Sequence, residues 1–211
     1  AINLVAYAYG LQHIEQGDNI ILTIMEHHSN FVPWQQIANM KGAELRIVDI
    51  DEKGELCYGQ FEKLIDYKTK LIAVTHASNV LGTINDITRI AQLRNARNPH
   101  AILFVDAAQS VPHFPVNMHE LCCDFLVFSG HKMLGPTGIG VLCGKEELLA
   151  KMPPFLFGGD MIRKVAKEET TFNDLPWKFE AGTLPIAEGI ALAEAIKYLQ
   201  GIGMEAVAAH G

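Results

Sequence analysis

The chain is poor in the features that would carry it to a nucleic acid, a membrane or a metal. Its 17 lysines and arginines are outnumbered by 24 aspartates and glutamates, for a net charge of −7, and the basic residues form no run. That balance excludes a nucleic-acid or anionic membrane-surface role. No apolar stretch approaches the roughly 20 residues that cross a bilayer, and no signal-peptide pattern is present. Cysteine is scarce: Cys57, Cys122, Cys123 and Cys143 lack C-x-x-C spacing, and two of them are adjacent. A disulfide framework is therefore not expected, and the four read as buried, reduced thiols of a cytoplasmic protein. His27-His28 has no H-x-x-x-H or C-x-x-C partner pattern, so it does not read as a metal site.

What is present is a core. With 211 residues, 49% of them hydrophobic, the chain can bury a full interior and passes for one domain. Strand-like and helix-like segments alternate. Ala1 to Ile14 reads as a helix already in progress with no N-cap ahead of it. Strands are predicted over residues 19–24, 45–48, 71–75, 101–105, 124–128 and 139–143, with helices over 32–40, 58–65, 87–96, 145–151 and 186–199. Gly42 stops the second helix. The alternation predicts an α/β fold with a mostly parallel sheet. Only about ten residues, with no helix expected, join the last two strands, too few for a parallel crossover, so the last strand should run antiparallel.

The most informative stretch is Ser129-Gly130-His131-Lys132, followed by Gly135-Pro136-Thr137-Gly138-Ile139-Gly140. A lysine delivered by a buried strand into a glycine-rich turn, beside a serine and a histidine, suits a phosphorylated aldehyde. The amine can form a Schiff base, while hydroxyl, imidazole and backbone N–H groups collect the phosphate. The run Ile102 to Val105 ends in Asp106-Ala107-Ala108-Gln109, and an aspartate at a strand end is the partner a pyridinium nitrogen needs. Alone, Lys132 reads as a surface lysine and Asp106 as a turn former; together they point to pyridoxal 5'-phosphate (PLP). The glycine run is neither a P-loop nor a dinucleotide loop, because the lysine precedes it and its spacing reverses the Rossmann pattern. His27, Asn79, Asp106, Ser129 and Lys132 all follow an apolar run, where open α/β sheets bind ligands.

Five motifs in order carry a resemblance: Glu26-His27-His28-Ser29-Asn30 with Val32-Pro33-Trp34; Thr75 to Thr83; Val105 to Ser110; Phe128 to Lys132 with Gly135 to Gly138; and Phe179 to Thr183. They resemble the class V aminotransferase superfamily, and within it the Suf-type cysteine desulfurases and selenocysteine lyases. The resemblance implies a fold-type I PLP-dependent transferase large domain, with helices on both faces of the sheet. It implies that Lys132 bears the cofactor, that Asp106 pairs with the ring nitrogen and that His27 stacks on the ring. Asn79 and Gln109 would contact the ring oxygen, Ser129 and His131 the phosphate, and Thr183 the phosphate of a neighbouring subunit, hence a homodimer.

Family members run to about twice this length, so residues 1–211 are expected to be an incomplete large domain. The resemblance puts the persulfide-forming cysteine and the carboxylate-binding arginine beyond residue 211, and one phosphate-binding threonine before Ala1. Leu184-Pro185 departs from the more usual Pro-Asn after Gly182-Thr183. The implied activity is removal of sulfur from L-cysteine, giving L-alanine and an enzyme persulfide for an acceptor protein in Fe–S cluster assembly. A selenocysteine lyase acting on L-selenocysteine and a truncated, non-catalytic PLP-binding protein are the alternatives.

Overall fold

The computed structural model describes residues 1–211. β1 (Asn19–Thr23), β2 (Glu44–Val48), β3 (Thr69–Thr75), β4 (Ile102–Asp106) and β5 (Phe125–Ser129) run parallel, and β6 (Gly140–Gly144) closes one edge antiparallel, as expected. The order across the sheet is β2-β1-β3-β4-β5-β6. Every residue of β1 and β4 is buried, which is why these strands are unbroken apolar runs rather than alternating ones.

Both faces are covered. On one, Leu71, Ala73 and Phe104 pack with Val5 and Tyr9 and with Trp34 and Ile37 of α3 (His28–Lys41). On the other, Ile72, Val74, Leu103 and Val105 meet Phe61 of α4 (Tyr58–Leu64) and Ile87, Ile90 and Ala91 of α5 (Ile87–Arg97). Successive strand residues point to opposite faces, so each strand feeds both cores. Arg94 of α5 bridges to Asp124 at 2.7 Å, and Asp124 also accepts from the Leu103 N–H, fixing the start of β5 beside β4.

The differences from the sequence reading are local. The first helix is α1 (Ile2–Val5) running through a π-helical segment, Ala6–Gly10, into α2 (Leu11–His13). The α3 helix begins four residues before the predicted start, because the His27 ring supplies the cap and Pro33 is accommodated inside. Gly42 ends it in the left-handed region at φ 66°. The link between β5 and β6 holds a 3-10 turn, Gly130–Met133, where no helix was expected. After α6 (Glu146–Lys151) comes a separate antiparallel hairpin, β7 (Ile162–Val165) with β8 (Thr170–Phe172), then α7 (Ile186–Ile202) and α8 (Met204–His210). The expectation that all four thiols are buried is corrected: only Cys123 is buried, Cys57 and Cys143 are half-buried, and Cys122 is exposed with φ 53°. No helix is long and apolar enough to cross a membrane.

Candidate functional site

A cavity of about 790 Å³ opens where the parallel strands end. His27, Asn79, Asp106, Gln109, Ser129, His131 and Lys132 all line it, so residues spread over a hundred positions of sequence meet in one place. Thr183 does not line it; it is exposed, in the segment between the 3-10 turn Trp177–Phe179 and α7.

Asp106 is the last residue of β4 and only 4% exposed. Its Oδ1 accepts the Ala108 N–H at 3.0 Å, so it holds the turn after the strand as well as lining the cavity. Burial pushes its carboxyl above the ordinary range, opposed by that hydrogen bond and by the nearby charges of Lys132 and His27.

Lys132 sits in the turn Gly130–Met133, which ends at Leu134 in the left-handed region. Met133, on the same turn, is buried against Leu192 and Leu199 of α7, which anchors the turn while Lys132 lines the cavity. The glycines around it serve close approach rather than ligand contact. A Cβ on Gly130 would lie 2.8 Å from Ile139 Cγ2, and one on Gly135 would lie 2.8 Å from the Gly130 carbonyl oxygen. Of the glycine run, only Gly140 lines the cavity.

His27 caps α3. Its Nδ1 accepts the Ser29 N–H at 3.2 Å and lies 2.8 Å from Ser29 Oγ. The imidazole is exposed, held at one edge only.

The sequence reading did not single out Tyr7, Gln36 or Thr75, which share the lining. Asn3 and Tyr7 also share it from one helical stretch, four residues apart, and that spacing was the available signal. Beside them is a buried network missed entirely. Glu26 is 7% exposed, accepts three hydrogen bonds, and is pushed up to about 8 by burial, with Asp106 adding to the rise.

The donor set fits PLP. A buried carboxylate held by one backbone donor needs a cationic N–H across from it. A primary amine from Lys132, the exposed His27 imidazole, the Ser129 hydroxyl and the His131 imidazole surround the same space.

A family model described as Aminotransferase class-V matches residues 1–211. A cysteine desulfurase of Haloferax volcanii is 51% identical over 210 residues, covering 100% of this chain and 49% of that protein. The cysteine desulfurase CsdA of Escherichia coli, in its S-sulfonic acid form, superposes with a TM-score of 0.93 at 37% identity, over 97% of this chain and 51% of that one. A C-DES mutant with glycine covalently linked to its PLP cofactor superposes at 0.82 with 25% identity, over 96% of this chain and 54% of that one. The chain spans about half the length of the curated relatives it matches.

Proposed function

The chain belongs to the class V aminotransferase family, and from that premise we propose that the intact protein is a PLP-dependent cysteine desulfurase. It takes sulfur from L-cysteine, leaving L-alanine and an enzyme persulfide that goes to an acceptor protein for Fe–S cluster assembly. The observation that carries this reading is the meeting of Lys132, Asp106 and His27 in one cavity beyond the strand ends, within a chain half identical to a cysteine desulfurase.

PLP, when bound, supplies an electron sink for bonds at the substrate's Cα. The rest falls to side chains of this chain. Asp106 would keep the proton on the ring nitrogen, since a buried carboxylate and a pyridinium charge stabilise one another. His27 would stack on the ring, and Asn79 and Gln109 would donate toward the ring oxygen. Ser129 and His131 would bind the phosphate, and Thr183, outside the cavity of its own chain, would reach the phosphate of a second copy in a homodimer. Lys132 Nζ would hold the cofactor through its aldehyde and, when released, would be the group that carries the substrate's Cα proton. Residues 1–211 form the cofactor-binding part of the large domain of a longer protein, in accord with the half-length match. The four free thiols support a cytoplasmic location.

Borohydride reduction of the PLP-loaded intact protein, followed by peptide mass mapping, should place a phosphopyridoxyl group on Lys132. An adduct on another lysine would overturn the assignment. Parallel assays with L-cysteine and L-selenocysteine, reading alanine release, separate the desulfurase from a selenocysteine lyase.

A further inference from the structure

Glu26 is buried without a cation, yet it is tied to three elements that meet beside the cavity. Its Oε1 accepts from Thr23 Oγ1 at 2.6 Å and from the Thr75 N–H at 2.9 Å; its Oε2 accepts from Asn30 Nδ2 at 2.6 Å. Thr23 ends β1, Thr75 ends β3, and Asn30 lies in the first turn of α3. Thr75 is in register with Asp106 on the neighbouring strand, while Asn30 donates its N–H to the His27 carbonyl at 2.8 Å. We propose that Glu26 is a positioning residue that fixes the His27 ring relative to Asp106 by joining the ends of β1 and β3 to the start of α3. The inference rests on the PLP reading above and adds a residue to that site.

Closing a loop is the plainer role for such a network, and an apolar side chain would fill the space at lower desolvation cost. The donors explain why a carboxyl is needed. Trp34 Nε1 donates to Asn30 Oδ1 at 3.0 Å, so the Asn30 amide cannot turn over, and its NH2 must face Glu26. The Thr75 N–H is a backbone donor that cannot reverse. A glutamine at position 26 therefore sets its own NH2 against a fixed donor whichever way round it sits. Exchanging the two polarities, with Glu26→Gln and Asn30→Asp together, restores a complementary set: the new amide donates to position 30, whose other oxygen still accepts from Trp34.

The test is a cycle of variants in the intact protein, reading the PLP dissociation constant by equilibrium dialysis and the melting temperature alongside it. Glu26→Gln should weaken PLP binding about tenfold, the loss expected when one buried donor is left without an acceptor. Glu26→Gln with Asn30→Asp should recover most of it. In a His27→Ala background Glu26→Gln should change affinity less than about twofold, because its effect passes through that ring. Asp66→Asn, which loosens the remote Arg46 and Asn19 contacts, should lower the melting temperature with PLP affinity unchanged. If Glu26→Gln does not fold, Thr23→Val removes one donor and carries the same expectation through the same cycle. Glu26→Gln and Thr23→Val binding PLP like wild type, or an equal loss with and without His27, overturns the inference alone. Wild-type protein that binds no PLP overturns the functional reading and this inference with it.

Discussion

Burial acts with opposite sign on Asp106 and on His76, whose backbones are hydrogen-bonded to one another where β3 and β4 end. For Asp106 the consequence is chemical. Under the proposed function, replacing it with alanine would remove the group that keeps the ring nitrogen protonated but leave Ser129, His131 and Lys132 in place. Turnover of L-cysteine by the intact protein should fall by at least about 100-fold, with PLP content much less affected. Unchanged turnover would remove Asp106 from the site. For His76 the consequence is stability. Its ring is 6% exposed, Nδ1 has no partner, Phe114 meets it edge-on at 5.2 Å, and desolvation pushes its pKa down to about 4. The folded state keeps it neutral, whereas the unfolded chain takes up a proton below about 6.5. Its contribution is therefore complete above pH ~6.5 and lost as pH falls toward 4. Glu26 has the reverse sign, losing stability as pH rises through about 8, so the residue must be isolated by comparison. Melting curves of wild type and His76→Gln between pH 7 and pH 4.5 should converge on acidification. Parallel curves would show that His76 takes up its proton as readily in the folded protein as in the unfolded chain, and that burial does not hold it neutral.

At the scale of elements, the turn that delivers Lys132 depends on a backbone approach that tolerates no side chain. Gly135 donates its N–H to the Gly130 carbonyl at 3.0 Å, and a Cβ on Gly135 would also meet Leu192 Cδ1 at 3.0 Å. Leucine can give way; the carbonyl cannot without moving the turn. Gly135→Ala should cost about 1–3 kcal/mol of stability and weaken PLP binding, read by melting and by dialysis, and unaltered PLP binding would show that the turn absorbs the methyl. The strands were legible in the sequence because β1, β3 and β4 are buried on both faces and read as unbroken apolar runs. The antiparallel β6 was legible from loop length alone. The hairpin of β7 and β8 was not, because Arg163, Lys164 and Val165 are all exposed and give no alternation to read. Seven of the eight candidate residues line one cavity, since each ends a parallel strand or lies in the short turn after one. The Glu26 network escaped because its key bond joins residues 49 apart, the end of β3 and the loop after β1, a separation that only the folded sheet reveals.

For the whole molecule, the decisive feature is which side chains the cavity gathers. Its lining holds an amine, a carboxyl, imidazoles, amides and hydroxyls, but none of Cys57, Cys122, Cys123 or Cys143. Sulfur transfer requires a thiolate over the substrate, in surroundings that lower its pKa. Cys123 is the opposite case, buried beneath the sheet edge and pushed up to about 12 by desolvation, and burial also raises Cys143. Cys122 and Cys123 border a different cavity, at the far ends of β4 and β5 beside Arg94 and Lys145. Meanwhile α7 presents Ile186, Ile190, Tyr198 and Ile202 to solvent, an apolar face of the kind that packs against further protein. Under the proposed function, residues 1–211 would hold the cofactor, and none of their four thiols would accept the sulfur. Purified residues 1–211, given PLP and L-cysteine, should release no alanine above PLP alone, whereas the intact protein should. PLP-dependent alanine release that vanishes when Cys57, Cys122, Cys123 or Cys143 is replaced would show that one of these thiols reaches the substrate and would overturn this division of labour.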